Sequence, residues 1–162
     1  MKRFIFASLI VSSLLGSCTG YPRLLNLTGL NSSYLEASPQ ISSRFIVFTS
    51  DRNGSQDVYL FDTQIRRFVN NPGLNSLDEI ASHPSITEDG KYIVFAGSRQ
   101  GRTNIYIYNR ETQQKRNLTS NLQADVRNPS ISADGSRVVF EVAKNGQWDL
   151  AVYDIAESRL TE

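Results

Sequence analysis

NPSISADGSRVVFEVAKNGQWDLAVYD, residues 128–154, is one of three versions of a single unit in this 162-residue chain. The other two are SPQISSRFIVFTSDRNGSQDVYLFD at 38–62 and HPSITEDGKYIVFAGSRQGRTNIYIYN at 83–109. Pro39, Pro84 and Pro129 stand 45 residues apart, and Phe48, Phe95 and Phe140 stand 47 and 45 apart. From each Phe the same residue types return: a base four positions on (Arg52, Arg99, Lys144), a glycine at six (Gly54, Gly101, Gly146), and Asp or Asn at nine (Asp57, Asn104, Asp149) and at fourteen (Asp62, Asn109, Asp154). Repetition with this period means that the chain builds one supersecondary unit several times over.

Each unit reads as a meander of four antiparallel strands. A short first strand opens after the proline, as at Ser130–Ser132, and turns at Asp89-Gly90 or Asp134-Gly135, residues that accept the positive φ of a tight hairpin. A second strand follows at Arg137–Val142, and a loop carrying Asn53-Gly54 or Asn145-Gly146 leads into a third at Asp149–Tyr153. Tyr92–Phe95 and Ile105–Tyr108 are apolar on both faces, as expected of strands sandwiched between neighbouring sheets. The fourth strand is Arg67-Phe68-Val69, Arg116-Asn117-Leu118-Thr119 or Arg159-Leu160-Thr161. One more copy, Leu24–Thr28, precedes the first unit as an orphan strand, followed by Gly29-Leu30-Asn31-Ser32 much as Gly73-Leu74-Asn75-Ser76 follows the next. The fold predicted is all-β: the orphan strand, then units over about 37–70, 82–119 and 127–162. In unit one only nine residues separate Pro39 from Phe48, against eleven in the others, and the Asp-Gly turn is missing, so its first hairpin is expected to be tighter or irregular.

Four strands in a repeat of about 40–50 residues is the arithmetic of a propeller blade. Pro-Ser-Ile-Ser-Ala-Asp-Gly-Ser-Arg-Val-Val-Phe (129–140), with the following Gly-x-x-Asp-x-x-x-Tyr-Asp (146–154), resembles the WD-type repeats of the TolB family and of propeller domains in prolyl-oligopeptidase-like enzymes. The resemblance extends over residues 24–162 and is specific for fold rather than function. It implies β-propeller blades and, for TolB itself, six of them behind a separate small domain, working in the bacterial periplasm beside peptidoglycan-associated and outer-membrane proteins. Three blades, no preceding domain and a lipid anchor are expected to set this chain apart from TolB. Propeller rings close with about four to eight blades, so three leave sheet faces open to water. A second copy completing a six-bladed ring, a propeller-like partner and a truncated relic each account for that. Pairing is preferred because units two and three keep their turn residues, and the orphan strand could then complete a partner's blade.

The N-terminus carries a different signal. Lys2 and Arg3 precede Phe4–Leu15, an apolar run interrupted only by Ser8, Ser12 and Ser13. Charge, length and order are those of an export signal, and about a dozen residues fall short of the roughly 20 that span a bilayer. Leu15-Gly16-Ser17-Cys18 resembles the lipobox of bacterial lipoproteins, which implies removal of residues 1–17 and acylation of Cys18, the only cysteine. Residues 18–23 then form a lipidated tether. Each buried methylene adds about 0.8 kcal/mol of membrane affinity, so two or three acyl chains hold a domain on a leaflet. Thr19 in place of Asp implies, through the same resemblance, delivery to the outer membrane. The protein is expected on the periplasmic side of a bacterial membrane.

Lys plus Arg number 17 against 16 Asp plus Glu, a formal charge of +1, which gives no field for nucleic acid. Removing Lys2 and Arg3 with the signal leaves 15 basic side chains against 16 acidic. One His and one Cys exclude zinc and dithiol chemistry, and no cofactor or metal is expected. His83 occupies the position of Ser38 and Asn128, so it reads as a turn former before it reads as a base. Asp51–Asp57 resembles a calcium loop only faintly, lacking the spaced Glu, and reads as a hairpin. Asp78, Glu79 and Asp125 lie in loops leading to the first strands, where a propeller glycosidase could place its acids, although solvated loop charge is the simpler role. Trp148, Tyr106 and Tyr153 read as inter-blade packing, and Asn26-Leu27-Thr28 and Asn117-Leu118-Thr119 match the glycosylation sequon within the strand pattern. Arg52, Arg99 and Lys144 would form an arc on one face of a propeller and are the candidate partner-binding residues. The function expected is a membrane-anchored, non-enzymatic interaction or scaffold module of the cell envelope. The alternative is a carbohydrate-active or peptidase-associated propeller using carboxylates at the channel mouth.

Overall fold

The computed structural model describes residues 24–155, so the signal segment, Cys18 and the expected strand at Arg159-Leu160-Thr161 lie outside the described residues. Among the described residues there is no helix, and the strands form three antiparallel sheets. Blade one is β1 (Glu36–Ile41), β2 (Phe45–Ser50), β3 (Asp57–Asp62) and β4 (Arg67–Phe68), paired in that order. Blade two is β5 (Ile80–Ile86), β6 (Tyr92–Arg99), β7 (Arg102–Asn109) and β8 (Gln114–Asn117). Blade three comprises β9 (Val126–Ile131), β10 (Arg137–Lys144) and β11 (Gln147–Asp154).

Local chemistry sets the turns. Gln100 and Gly101 close β6 on β7, with φ of 51° and 78°, and Asn145 and Gly146 close β10 on β11 at 50° and 81°. Positive φ at both central residues is the two-residue turn whose twist matches a hairpin. The Asp-Gly turns also form where expected: Gly90 (φ 73°) donates its N–H to Thr87 O, and Gly135 (φ 74°) donates to Ser132 O. Asp134 accepts from the Ser132 hydroxyl and from the N–H and hydroxyl of Ser136, which holds its carboxyl at about 2. In blade one the corresponding hairpin is the tighter one: Ser42 N–H donates to Phe45 O, and the Ser42 hydroxyl accepts the Phe45 N–H.

Two expectations are corrected. The first strand of each blade begins before its proline, not after it. Ser38, His83 and Asn128 adopt φ of 50°, 48° and 52°, and strand pairing shifts register at that point in each blade. The bulge lets the strand continue past a residue that has no N–H to donate. The orphan segment Leu24–Thr28 forms no strand and pairs with none of the three sheets among the described residues. The turn after it does follow the repeat: Leu30 N–H donates to Leu27 O as Leu74 N–H donates to Asn71 O.

Hydrophobic cores lie between blades. Phe45, Val47, Val58 and Leu60 of blade one pack with Ala81, Ile86, Ile93, Phe95 and Tyr108 of blade two. Val94, Ala96, Ile105 and Ile107, on the opposite face of blade two, pack with Val126, Ile131, Val138, Phe140 and Val142 of blade three. Both faces of blade two are therefore dry, which is why its strands carry no polar alternation. Burial of each large side chain stabilises the stack by about 1.5–3 kcal/mol. The seams are closed by polar bonds as well, including Ser43 N–H to Glu88 Oε1 at 3.0 Å, Glu88 N–H to Ala133 O at 3.0 Å and the Tyr108 hydroxyl to Pro72 O at 2.7 Å.

Candidate interaction site

The first strands β1, β5 and β9 touch one another from blade to blade and form the inner wall of the arc. Their three bulges face a common hollow of about 330 Å³ lined by Ser38-Pro39, His83-Pro84 and Asn128-Pro129. His83 is exposed there and shares the left-handed backbone of Ser38 and Asn128, so the bulge sets its position. Asn128 spends its amide on Glu141 Oε1 at 2.9 Å. That bond and the Arg127 guanidinium hold the Glu141 carboxyl below its ordinary range.

Arg52, Arg99 and Lys144 lie at the same end of their blades, at or just beyond the close of each second strand. They are unequally available. Arg52 reaches Glu36 Oε1 at 2.8 Å and Leu30 O at 3.2 Å, and its guanidinium lies 4.8 Å from the Tyr59 ring centre and 4.7 Å from that of Phe68. It clamps the segment preceding β1 onto the face of blade one. Arg99 is half-exposed and pairs with Asp78 at 3.0 Å. Lys144 is exposed.

The loop acids separate in the same way. Glu79 is buried beside Gly97 and Tyr106, with Oε1 2.9 Å from Lys115 Nζ and Oε2 4.0 Å from Arg99. Oε2 itself meets no hydrogen-bond donor among the described residues. Lys115 Nζ also donates to Leu74 O at 3.1 Å and Ser76 Oγ at 2.9 Å, which ties the blade-one to blade-two connection across blade two. Asp57, at the start of β3, has its carboxyl raised by burial and by the Glu79 charge, and burial likewise raises the Tyr106 phenol. Asp125 stands exposed on the next connection, beside an open groove that includes Arg102. Among the described residues, no group of three or more His, Cys, Asp and Glu could hold a metal ion.

Sequence reasoning placed Asp78, Glu79 and Asp125 correctly in the connections but missed the Lys115–Glu79 pair. Lys115 stands in β8 where blade one has Phe68, so no repeat offset marks it as a cation. Tyr106 and Tyr153 pack against the inter-blade cores as expected. Trp148 does not: it is 43% exposed on the outer face of blade three, with Arg127 3.9 Å from its ring. Asp51 accepts the Leu35 N–H at 2.9 Å, and its loop is a turn closed by Gly54 N–H to Asp51 O. The Asn117-Leu118-Thr119 sequon serves packing too, since the Thr119 hydroxyl accepts the Ile105 N–H at 3.0 Å.

No protein-family model and no curated protein matches this sequence. Solved structures do match the fold. TolB from Acinetobacter baumannii superposes with a TM-score of 0.64 at 23% identity, over 78% of this chain and 31% of that one. The β-propeller domain of the Trilobed protease from Pyrococcus furiosus gives 0.56 at 20% identity, over 76% and 40%. A puromycin-hydrolyzing peptidase of Mycobacterium tuberculosis gives 0.57 at 13%, over 75% and 19%. The chain thus spans about a third of the length of the TolB structure it matches. Sheet order, inter-blade cores and these superpositions agree: the described residues are consecutive blades of a β-propeller, a partial ring similar in fold to TolB and to the propeller domains of peptidases.

Proposed function

We propose that the protein is an extracytoplasmic interaction module of the bacterial envelope, anchored through a lipid on Cys18 and presenting its blades, without catalysis, to another envelope protein. The observation that carries the non-enzymatic reading is the state of the loop acids. Asp78 is paired with Arg99, Glu79 is buried against Lys115, and Asp125 stands apart in solvent. A glycosidase needs two carboxyl groups flanking one bond, one of them free to give a proton. A rim whose acids are shared out in this way, two paired with Arg99 and Lys115 and one apart, is better suited to binding through shape and charge. On that rim Arg99 and Lys144 are the residues offered to a partner, while Arg52 serves the clamp beneath it. The similarity to TolB supports an envelope setting, and the export signal with Cys18 supports the tether and delivery to the outer membrane.

Two measurements test this reading. Cys18→Ser should leave the precursor uncut or the protein released from membranes. Unchanged membrane fractionation without acyl mass on residue 18 would remove the anchor. A photo-crosslinker placed at Lys144 in intact cells should trap an envelope protein, and Arg99→Glu should reduce that product. Hydrolysis of a glycan or peptide that is lost in Asp78→Asn or Asp125→Asn would establish the enzymatic alternative instead.

A further inference from the structure

The two outward faces of the arc carry the same positions that are buried at both inner seams. Leu150 and Val152, on the outer face of blade three, are 74% and 62% exposed. Counted from the repeat phenylalanines, they correspond to Val58 and Leu60 in blade one and to Ile105 and Ile107 in blade two, all of which are at most 5% exposed beneath the next blade. At the other end, Ile41 is 72% exposed on the outer face of blade one, whereas its counterparts Ile86 and Ile131, each two residues after the repeat proline, are 8% exposed beneath the preceding blade.

Blade one also carries the other parts with which blade two docks. Gly29-Leu30-Asn31-Ser32 is identical to Gly73-Leu74-Asn75-Ser76, and both glycines have positive φ. In the inner seam Leu74 is 1% exposed within the core, and the Asn75 amide bonds both the N–H and the O of Val58 at 2.9 Å. Leu30 and Asn31 instead edge an unfilled groove of about 150 Å³ with Ile46 and Phe48. The stacked Phe48 and Tyr59 repeat the stacked Phe95 and Tyr106, with Arg52 over the first pair and Lys115 over the second.

We propose that the outer face of blade three receives the outer face of blade one from a second copy of this chain, repeating the inner seams between molecules. A blade front carrying a Leu-Asn-Ser connection and a ring pair beneath a cation is what covers Val58 and Leu60, and blade one presents one. Charge is compatible with it: blade three has Glu141, paired with Arg127, where Thr49 and Ala96 stand, and it meets the face bearing the Arg52–Glu36 pair. Each already has a partner in its own blade, Arg127 for Glu141 and Glu36 for Arg52, so the contact buries no bare ion. The contact is head to tail, and two of them related by a twofold axis close a six-bladed ring, within the range of natural propellers.

The test is the mass of the full chain, purified in detergent and followed by sedimentation equilibrium up to about 100 μM, a range that reads dissociation constants at and below the micromolar level. Two chains per particle are expected. Leu150→Glu and Ile41→Glu, both at exposed positions and each checked for an unchanged circular dichroism spectrum, should weaken association at least about tenfold. Mixing the two variants should bring back a two-chain species through the one seam in which neither change lies. A wild-type particle of one chain overturns the proposal and leaves the faces to a different protein. A dimer broken by Leu150→Glu but untouched by Ile41→Glu also overturns it, since that result marks a symmetric contact of blade three with itself.

Discussion

Lys115 serves three acceptors at once and lies 5.7 Å and 5.3 Å from the ring centres of Phe95 and Tyr106. Its partner Glu79 is 3% exposed and the Lys115 side chain 16% exposed, so the carboxylate is buried under a partly covered ammonium and the pair's value lies in mutual need. Removing one member of such a pair strands the other charge and costs about 3–5 kcal/mol, whereas replacing both by neutral groups is far milder. Lys115→Met should therefore lower stability to urea by about 3 kcal/mol, with Glu79→Gln in the same chain recovering much of the loss. A single-variant loss below about 1 kcal/mol would mean that water reaches the carboxylate. Nothing at the residue level foretold this pair. A repeat pattern reports what the units share, and Lys115 is where blade two departs from blade one. The bases that the pattern did mark, Arg52, Arg99 and Lys144, share a position but not a task, because Arg52 is drawn over the rings of an end blade.

Among the elements, the hairpins were the most legible. Asp-Gly and Asn-Gly specify positive φ through short-range sterics alone, so Gly90, Gly135 and Gly146 fall where the sequence puts them. Strand starts were misplaced because a proline reads locally as a boundary, while in the blade its missing N–H is absorbed by a bulge held by the neighbouring strand. The orphan segment failed for a related reason: a strand is a pairing, and a pattern cannot provide the partner. Glycines separate two costs that the sequence merges. Gly54 (φ 91°) has nothing within 4 Å of an added β-carbon, so Gly54→Ala should cost about 1 kcal/mol for backbone strain. Gly90 (φ 73°) has the same strain, and its added carbon would also overlap the Phe45 ring of blade one and meet Arg110 Nη1 at 3.0 Å. Gly90→Ala should cost about 2–4 kcal/mol in chemical denaturation, the sum of strain and overpacking. Equal losses at the two sites would show that the seam yields at no cost.

At the scale of the whole molecule, the placement of the cores between sheets rather than within them governs how the arc opens. Each blade buries its apolar residues only against a neighbour, so stability is a sum of blade terms and seam terms, as in other stacked repeats. Blade two is covered on both faces, by the core that contains Ile93 and Phe95 and by the one that contains Val94 and Ile105. Blades one and three each present a face with exposed apolar side chains. This much of the fold was readable in advance, because both faces of Tyr92–Phe95 and Ile105–Tyr108 are apolar, whereas Glu141 and Arg127 on blade three interrupt the pattern. Native-state hydrogen exchange should therefore rank the blades. Amides of β6 and β7 should exchange only through global unfolding, and those of β11 through cheaper, local opening. Phe95→Ala, which truncates a fully buried ring in the first core, should cost about 3–5 kcal/mol and lower the protection of β2 and β6 together, since they share that seam. If the proposed second copy covers the end faces, protection of β11 should also rise with protein concentration, because association stabilises only the folded end blade. Uniform protection across the three blades, independent of concentration, would contradict both the stacked-core account and the pairing of its ends.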